Sequence, residues 1–327
     1  MGYAKIIGVG KYLPDNVVTN EYLSTIVETN DEWISTRTGM KERRITTGED
    51  TTDLAVEAAK NALYNAGISA EEIDLIIVAT TSPDSLIPCM ACRVQEQIGA
   101  VNAAAFDLTA ACSGLIYGLN IGKNFICSGQ FKKVLVIGSE VLSKIVDWTD
   151  RNTCVLFGDG ASALVIAESE DIDGIKSVHI GADGSKGKYL TCSALKLENI
   201  FVNDDKEYDN KIRMNGKEIF KFAVNIISDS IRQILDENNL SMDDIKYVVC
   251  HQANSRIIEF AAKRLNADVK KFYMDMDKFG NTSSASIGIA LDDIVKDGML
   301  NKGDKVIIAG FGGGLTWGSA LIEWAIE

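Results

Sequence analysis

Ile68-Ser69-Ala70-Glu71-Glu72-Ile73-Asp74-Leu75-Ile76-Ile77 and Leu240-Ser241-Met242-Asp243-Asp244-Ile245-Lys246-Tyr247-Val248-Val249 repeat one pattern, position 68 matching 240 at a shift of 172 residues. Each runs from an aliphatic residue and a serine through an acidic pair into an apolar strand, so the match spans a turn signal as well as a strand signal. The same shift carries Lys133-Val134-Leu135-Val136-Ile137-Gly138 onto Lys305-Val306-Ile307-Ile308-Ala309-Gly310. It also carries Ala110-Ala111-Cys112-Ser113-Gly114 onto Thr282-Ser283-Ser284-Ala285-Ser286. A further strand pair, Ala161-Ser162-Ala163-Leu164 and Gly318-Ser319-Ala320-Leu321, matches at a shift of 157, so the copies differ in length after their glycine turns. Three segments at one shift imply two fused copies of one α/β unit, residues 1–170 and 171–327.

Around these anchors, short apolar runs alternate with longer helical patterns, the signature of α/β architecture. Strands are expected at 75–79, 134–137, 163–167, 247–250, 306–309 and 320–324, and helices at 52–66, 216–238, 255–265 and 284–297. No proline follows Pro88, so the second half carries no linker signal. Two such units packed with pseudo-twofold symmetry would turn strand C-terminal ends of both toward one shared site.

The composition narrows the function. A chain of 327 residues with 46% hydrophobic content can bury a large core. Lys+Arg 33 against Asp+Glu 46 leaves a formal charge of −13, which excludes a broadly basic surface for nucleic acid or anionic membrane. An acidic partner would need a local basic patch. The first eight residues do not read as a signal peptide, and the weakly polar segment 100–122 is interrupted by Asn102, Asp107, Thr109 and Asn120. The expectation is a soluble, cytoplasmic protein. Seven cysteines without regular spacing read as reduced thiols. Cys89-Met90-Ala91-Cys92 has the spacing of a redox pair but no second ligand pair for zinc, and is read as structural.

Candidate chemistry concentrates at predicted strand ends. Cys112 follows a strand-like run and precedes a small-residue helix, where free N–H groups and the helix dipole would favour a thiolate and its own N–H could hold an oxyanion. A small core residue among alanines is the other reading of the same position. His251, one of only two histidines, ends Tyr247-Val248-Val249-Cys250 and begins His251-Gln252-Ala253-Asn254. Asn281 lies in a Gly-Asn-Thr turn of the segment matching that of Cys112, and is either a turn former or an N–H donor beside His251. Phe311-Gly312-Gly313-Gly314-Leu315 joins two strands, so a backbone without side chains could approach a reacting group. It lacks a dinucleotide-site context, and there is no Walker sequence.

Several longer segments carry a resemblance: Thr29-Asn30-Asp31-Glu32-Trp33-Ile34-Ser35-Thr36-Arg37-Thr38-Gly39, residues 107–114 around Cys112, Asp150-Arg151-Asn152-Thr153 and Phe157-Gly158-Asp159-Gly160-Ala161. They continue with His251-Gln252-Ala253-Asn254, Gly280-Asn281-Thr282-Ser283 and residues 311–318. Together they resemble the thiolase-type condensing enzymes, most closely the β-ketoacyl-acyl carrier protein synthase III family, over nearly the whole chain. The resemblance implies a thiolase-like fold of two pseudo-duplicated α/β halves in α-β-α-β-α layers, a homodimer, and no cofactor or metal, the CoA thioesters being substrates. Cys112 would take an acyl group from acyl-CoA, with the N–H groups of Cys112 and Gly313 as oxyanion hole. His251 and Asn281 would stabilise the enolate formed as malonyl-acyl carrier protein loses CO₂. Trp33, Arg37, Thr38 and Arg151 would meet the CoA nucleotide, and Gly216 and Asn254 would line the pantetheine channel.

A carrier protein is acidic, and the resemblance calls for a positive docking area on this acidic chain. Arg256, Lys263 and Arg264 share one side of a predicted helix, and Lys217 and Lys221 lie four apart on another. Ile87 stands before Pro88 where acetyl-using members of the family carry Phe, which implies an altered acyl pocket and primers beyond acetyl. A papain-like protease shares the chain order Cys, His, Asn, but neither the local sequence around Cys112 nor the duplication fits it. The remaining alternative is a synthase III-like acyltransferase of specialised metabolism with another acceptor.

Overall fold

The computed structural model describes residues 2–202 and 208–326. In the first half, β1 (Tyr3–Tyr12) leads to a hairpin of β2 (Val17–Thr19) and β3 (Glu42–Arg44) that encloses α1 (Asn20–Leu23) and α2 (Asp31–Thr38). Then come α3 (Thr51–Ala66), β4 (Leu75–Ala79), α4 (Met90–Ile98), β5 (Ala104–Leu108), α5 (Gly114–Cys127), β6 (Lys133–Glu140) and β7 (Gly160–Ser169). The second half contains β8 (Ile175–Ala182), the short pair β9 (Leu190–Thr191) and β10 (Arg213–Met214), α6 (Gly216–Glu237) and β11 (Tyr247–Cys250). It ends with α7 (Ser255–Arg264), β12 (Phe272–Tyr273), α8 (Met276–Phe279), α9 (Ser286–Lys296), β13 (Lys305–Gly312) and β14 (Thr316–Glu323).

The duplication is visible in the sheets. One runs β1-β7-β6-β4-β5 and the other β8-β14-β13-β11-β12, the same order in corresponding strands. In each, the three strands at one side are parallel, Leu75 pairing with both Ala104 and Val134, and Tyr247 with Val306. The remaining two are antiparallel. The shift of 172 residues maps the turn Ala111–Ser113 onto Ser283–Ala285, and the backbone agrees: Ala111 has φ 48° and Ser283 has φ 49°.

Strand alternation builds the layers. Leu75 and Ile77 of β4 and Val134 and Val136 of β6 join the central core, together with α5, α9 and the inner face of the second sheet. Their neighbours Ile76, Val78, Leu135 and Ile137 face outward, under α3 and α4. Val248, Ile307 and Leu321 do the same beneath α6 and α7. The result is the expected α-β-α-β-α stack. Both faces of β4 are covered, which is why it reads as an unbroken apolar run. Gly118 allows α5 to lie close on the sheet, since a Cβ there would sit 2.7 Å from Val136.

Element boundaries differ from expectation mainly in the second half. The helix expected at 284–297 opens with the tight turn Ser283–Ala285, and α9 proper starts at Ser286. β14 begins at Thr316, four residues before the expected 320, because it pairs with β13 through the glycine-rich end, Gly312 opposite Thr316. Among the described residues no helix is long and apolar enough to cross a membrane.

Candidate active site

Cys112 sits on a sharp elbow. β5 ends at Leu108, the chain turns through Ala111 at positive φ, and α5 begins at Gly114. The nucleophile is buried, and the end of β13 lies directly against it: a Cβ on Gly312 would stand 2.6 Å from the Cys112 backbone N. Only glycine leaves this space open. Thr316 secures the arrangement, with Oγ1 3.0 Å from the Ala110 carbonyl and 3.1 Å from that of Gly313, while Ser113 Oγ lies 2.8 Å from Thr316 Oγ1. Elbow and glycine turn are thereby tied together.

His251 follows β11, and its N–H donates to the Ala309 carbonyl at 2.8 Å. The ring is buried, packs edge-on to Phe311 with centroids 5.4 Å apart, and has Nδ1 2.7 Å from Ser286 Oγ. Ser286 Oγ also accepts the Gln252 N–H at 3.4 Å, and when its own proton is turned to Nδ1 the imidazole proton lies on Nε2. Burial pushes the His251 pKa down to about 3, so the ring is neutral at physiological pH. Asn281 is pinned by its backbone: its N–H donates to Leu156 O at 2.8 Å, and Gly158 N–H donates to its carbonyl at 3.0 Å. Its Oδ1 accepts the Ser283 N–H at 2.9 Å, which leaves the side-chain NH₂ to donate elsewhere.

The Cys112 thiol differs from the sequence expectation. Burial pushes it up to about 12, and Glu140 raises it further, opposed by the Ser283 side chain. A helix start alone therefore does not leave a thiolate here, because desolvation of the anion outweighs the dipole. The same contact puts the Asn281–Ser283 turn of the second half against the Cys112 elbow of the first.

A second cluster surrounds Trp33, whose ring has the Arg37 guanidinium 4.7 Å and the Arg151 guanidinium 5.2 Å from its centroid. Arg151 donates to the Glu28 carbonyl at 2.9 Å. Asn254 bridges toward the centre, its Nδ2 donating to Arg37 O and its Oδ1 capping α7 through the Arg256 N–H, both at 2.9 Å. Thr38 lies at the end of α2. It is 4% exposed, and its hydroxyl is spent on the Ile34 carbonyl at 2.7 Å and the Met40 N–H at 3.0 Å, so it closes the end of α2 beneath Arg37. Gly216 opens α6 beside its cap, Asn215.

Lys217, Lys221 and Arg256 are exposed on the neighbouring helices α6 and α7, where Arg256 lies 5.7 Å over the Phe220 ring. Lys263 is exposed too. Arg264 is tied instead to Asn225 and Asp229, which reduces the charge it presents. Ile87 is 91% exposed, on the loop before α4. Cys89 and Cys92 are free thiols with sulfurs 3.4 Å apart.

Sequence reasoning missed Ser283, Ser286, Phe311, Thr316 and Glu140. Serines carry no signature of their own in a helix-opening run, and Glu140 ends an apolar strand. The one available signal was the shift of 172, which maps Cys112 onto Ser284 and Glu140 onto Gly312.

Comparison with known proteins agrees with this geometry. The profile described as "3-Oxoacyl-[acyl-carrier-protein (ACP)] synthase III" matches residues 106–184, and the profile of its C terminal matches residues 235–324. A "Beta-ketoacyl-[acyl-carrier-protein] synthase III" of Clostridium botulinum (strain Okra / Type B1) is 54% identical over 327 residues, covering 100% of both chains. The crystal structure of 3-oxoacyl-[acyl-carrier-protein] synthase III from Aquifex aeolicus VF5 superposes with a TM-score of 0.92 at 47% identity, covering 98% of this chain and 100% of that one. The priming β-ketosynthase from the R1128 polyketide biosynthetic pathway gives a TM-score of 0.93 at 35% identity, covering 99% and 96%.

Proposed function

Because the chain belongs to the 3-oxoacyl-acyl-carrier-protein synthase III family, we propose that its two halves, residues 1–170 and 171–327, divide one decarboxylative condensation between them. The chain is an acyltransferase of fatty acid biosynthesis, joining an acyl-CoA primer to malonyl-acyl carrier protein to give 3-oxoacyl-acyl carrier protein, CoA and CO₂. The first half supplies the nucleophile. Cys112 sulfur attacks the primer thioester, the N–H groups of Cys112 and Gly313 hold the oxyanion, and CoA leaves. The second half supplies the donors. As the malonyl group loses CO₂, the thioester oxygen gains charge, and His251 Nε2–H and the Asn281 amide stabilise it. The resulting carbanion attacks the acyl carbon and releases Cys112.

The observation that carries this division is the His251–Ser286 contact at 2.7 Å in a buried setting. Burial keeps the ring neutral, and with the Ser286 proton on Nδ1 it presents an Nε2 donor, the form that an enolate oxygen needs. Trp33 with Arg37 and Arg151 beside its ring gathers an indole and two cations for a purine and its phosphates, with Asn254 and Gly216 toward the pantetheine arm. No cofactor or metal takes part, since thioester exchange and CO₂ loss supply the driving force. A homodimer accounts for the Leu86-Ile87 loop, 63% and 91% exposed: Ile87 lines an acyl pocket only when a second copy covers it.

Intact-mass measurement tests the scheme. Acyl-CoA adds one acyl group to Cys112, and malonyl-acyl carrier protein then removes it with CO₂ release. A Cys112→Ala chain that still condensed both substrates would refute it. The likeness to the R1128 priming ketosynthase favours a second acceptor, a carrier protein of a polyketide pathway. Acyl transfer to that carrier and not to the fatty-acid carrier would select this reading.

A further inference from the structure

We propose that Glu140, acting through the Ser283 hydroxyl, receives the proton that Cys112 loses when its sulfur attacks the primer thioester. This rests on the reading of Cys112 as the acylated nucleophile. Acylation of a neutral thiol needs a proton acceptor, and His251 is a poor one, because Ser286 holds its Nδ1 and burial disfavours the imidazolium that it would become.

Glu140 is the remaining group with the right connections. It ends β6 with no solvent exposure. Its Oε1 accepts from Ser283 Oγ at 3.1 Å and Ser284 Oγ at 3.0 Å. Its Oε2 accepts from Ser82 Oγ at 2.6 Å, Thr81 N–H at 3.0 Å and Thr80 Oγ1 at 3.3 Å, and Thr81 Oγ1 reaches both oxygens. Thr81 N–H is an obligate donor, and the Ser82, Thr80, Thr81 and Ser283 hydroxyls can each turn a proton toward it, while the Ser284 proton is shared with the Ala79 carbonyl at 2.9 Å; this setting supports an ionised carboxylate, the state that can take up a proton. Ser283 links the two, since its turn packs against the Cys112 elbow, and its side chain and the Glu140 charge both act on that thiol, the first lowering and the second raising its pKa. Burial raises the Glu140 pKa above the usual carboxylate range, which strengthens it as a base.

The duplication explains how a carboxylate came to lie there. Glu140 corresponds to Gly312, and Ser284 corresponds to Cys112. In each half the last residue of the central strand meets the elbow of the other half. Gly312 leaves room at the working elbow, while Glu140 fills the silent one and reaches Cys112 through Ser283. The transfer balances. The thiol proton moves to Ser283 Oγ as the Ser283 proton moves to Glu140 Oε1, the sulfur pair forms the bond to the carbonyl carbon, and the carbonyl π pair becomes the oxyanion. On collapse the C–S bond to CoA breaks, and CoA leaves as a thiol with the proton returned along the same path.

Two variants test this, Glu140→Gln and Ser283→Ala. The second retains the remaining donors to Glu140, and its backbone is tolerated because Ala111 adopts the same φ in the matching turn. The readouts are the single-turnover rate of Cys112 acylation by intact mass from pH 6 to 9, and primer-independent CO₂ release from malonyl-acyl carrier protein. Both variants should acylate on the order of a hundredfold more slowly at pH 7. The rate should then climb about tenfold per pH unit, because only preformed thiolate reacts, while CO₂ release stays within about threefold of the parent. Acylation within twofold of the parent, or an equal loss of both steps with an unchanged pH profile, overturns the relay. If Glu140→Gln does not fold, Ser283→Ala decides alone. If the parent chain itself is not acylated at Cys112, the reading beneath the proposal fails with it; if the parent acylates and the variants match it, only the relay fails.

Discussion

At the scale of single residues, burial moves the two reacting groups in opposite directions, the Cys112 thiol up to about 12 and the His251 imidazole down to about 3. Both are neutral at pH 7, and His251 is a donor. His251→Ala and Asn281→Ala should therefore slow decarboxylation of malonyl-acyl carrier protein on the order of a hundredfold to a thousandfold, yet leave acylation of Cys112 within several-fold. Parallel mass and CO₂ measurements check this, and an equal loss of acylation would make His251 the activator of the nucleophile instead. Cys112 and His251 stood out as candidates because each follows a predicted strand, and Asn281 because its turn matches the Cys112 segment at the shift of 172. Ser283, Ser286 and Glu140 did not, since a hydroxyl or carboxylate acquires its role only from what folding sets 3 Å away. Thr38 shows the converse: its neighbours Trp33 and Arg37 form the ring-and-cation cluster, while its own hydroxyl is consumed by the end of α2.

At the scale of elements, the working part is the contact between the Cys112 elbow and the end of β13. Short unbroken apolar runs made the strands readable, and the 172-residue shift made their pairing into equivalent sheets readable. The tight turns at Ala111–Ser113 and Ser283–Ala285 were not, because positive φ at alanine and serine has no residue signature; the surrounding packing imposes it. Gly312→Ala should displace the elbow, since its Cβ would meet the Cys112 N at 2.6 Å. The expected cost is about 1–3 kcal/mol of stability, with a more than tenfold loss of acylation. Gly48→Ala, where a Cβ meets nothing within 4 Å, is the control and should match the parent in both denaturation and acylation. A Gly312→Ala chain acylating at the parental rate would show that the elbow tolerates displacement.

At the scale of the whole molecule, a net charge of −13 has to coexist with recognition of an acidic carrier protein. Arg256 on α7 lies over the Phe220 ring of α6, and Lys217 and Lys221 flank that ring in sequence, which brings three exposed cations onto two adjacent helices that also carry Glu218 and Glu259. Arg256→Glu should raise the KM for malonyl-acyl carrier protein on the order of tenfold, more at low salt, and leave acyl-CoA loading unchanged. Equal loss of both would remove Arg256 from docking. Arg264→Ala should act more weakly, because Asp229 and Asn225 already hold that guanidinium. The sequence by itself determined the duplicated α/β architecture, since periodicity and repeat offset are properties of the chain order, and its resemblance to the family pointed to Cys112, His251 and Asn281 as nucleophile and donors. Only the tertiary structure decided the protonation states, the burial of Thr38, the exposure of Ile87 and the Cys112–Ser283–Glu140 chain. Those depend on desolvation and on hydrogen bonds between residues up to 171 positions apart, which exist only after the two halves have packed together.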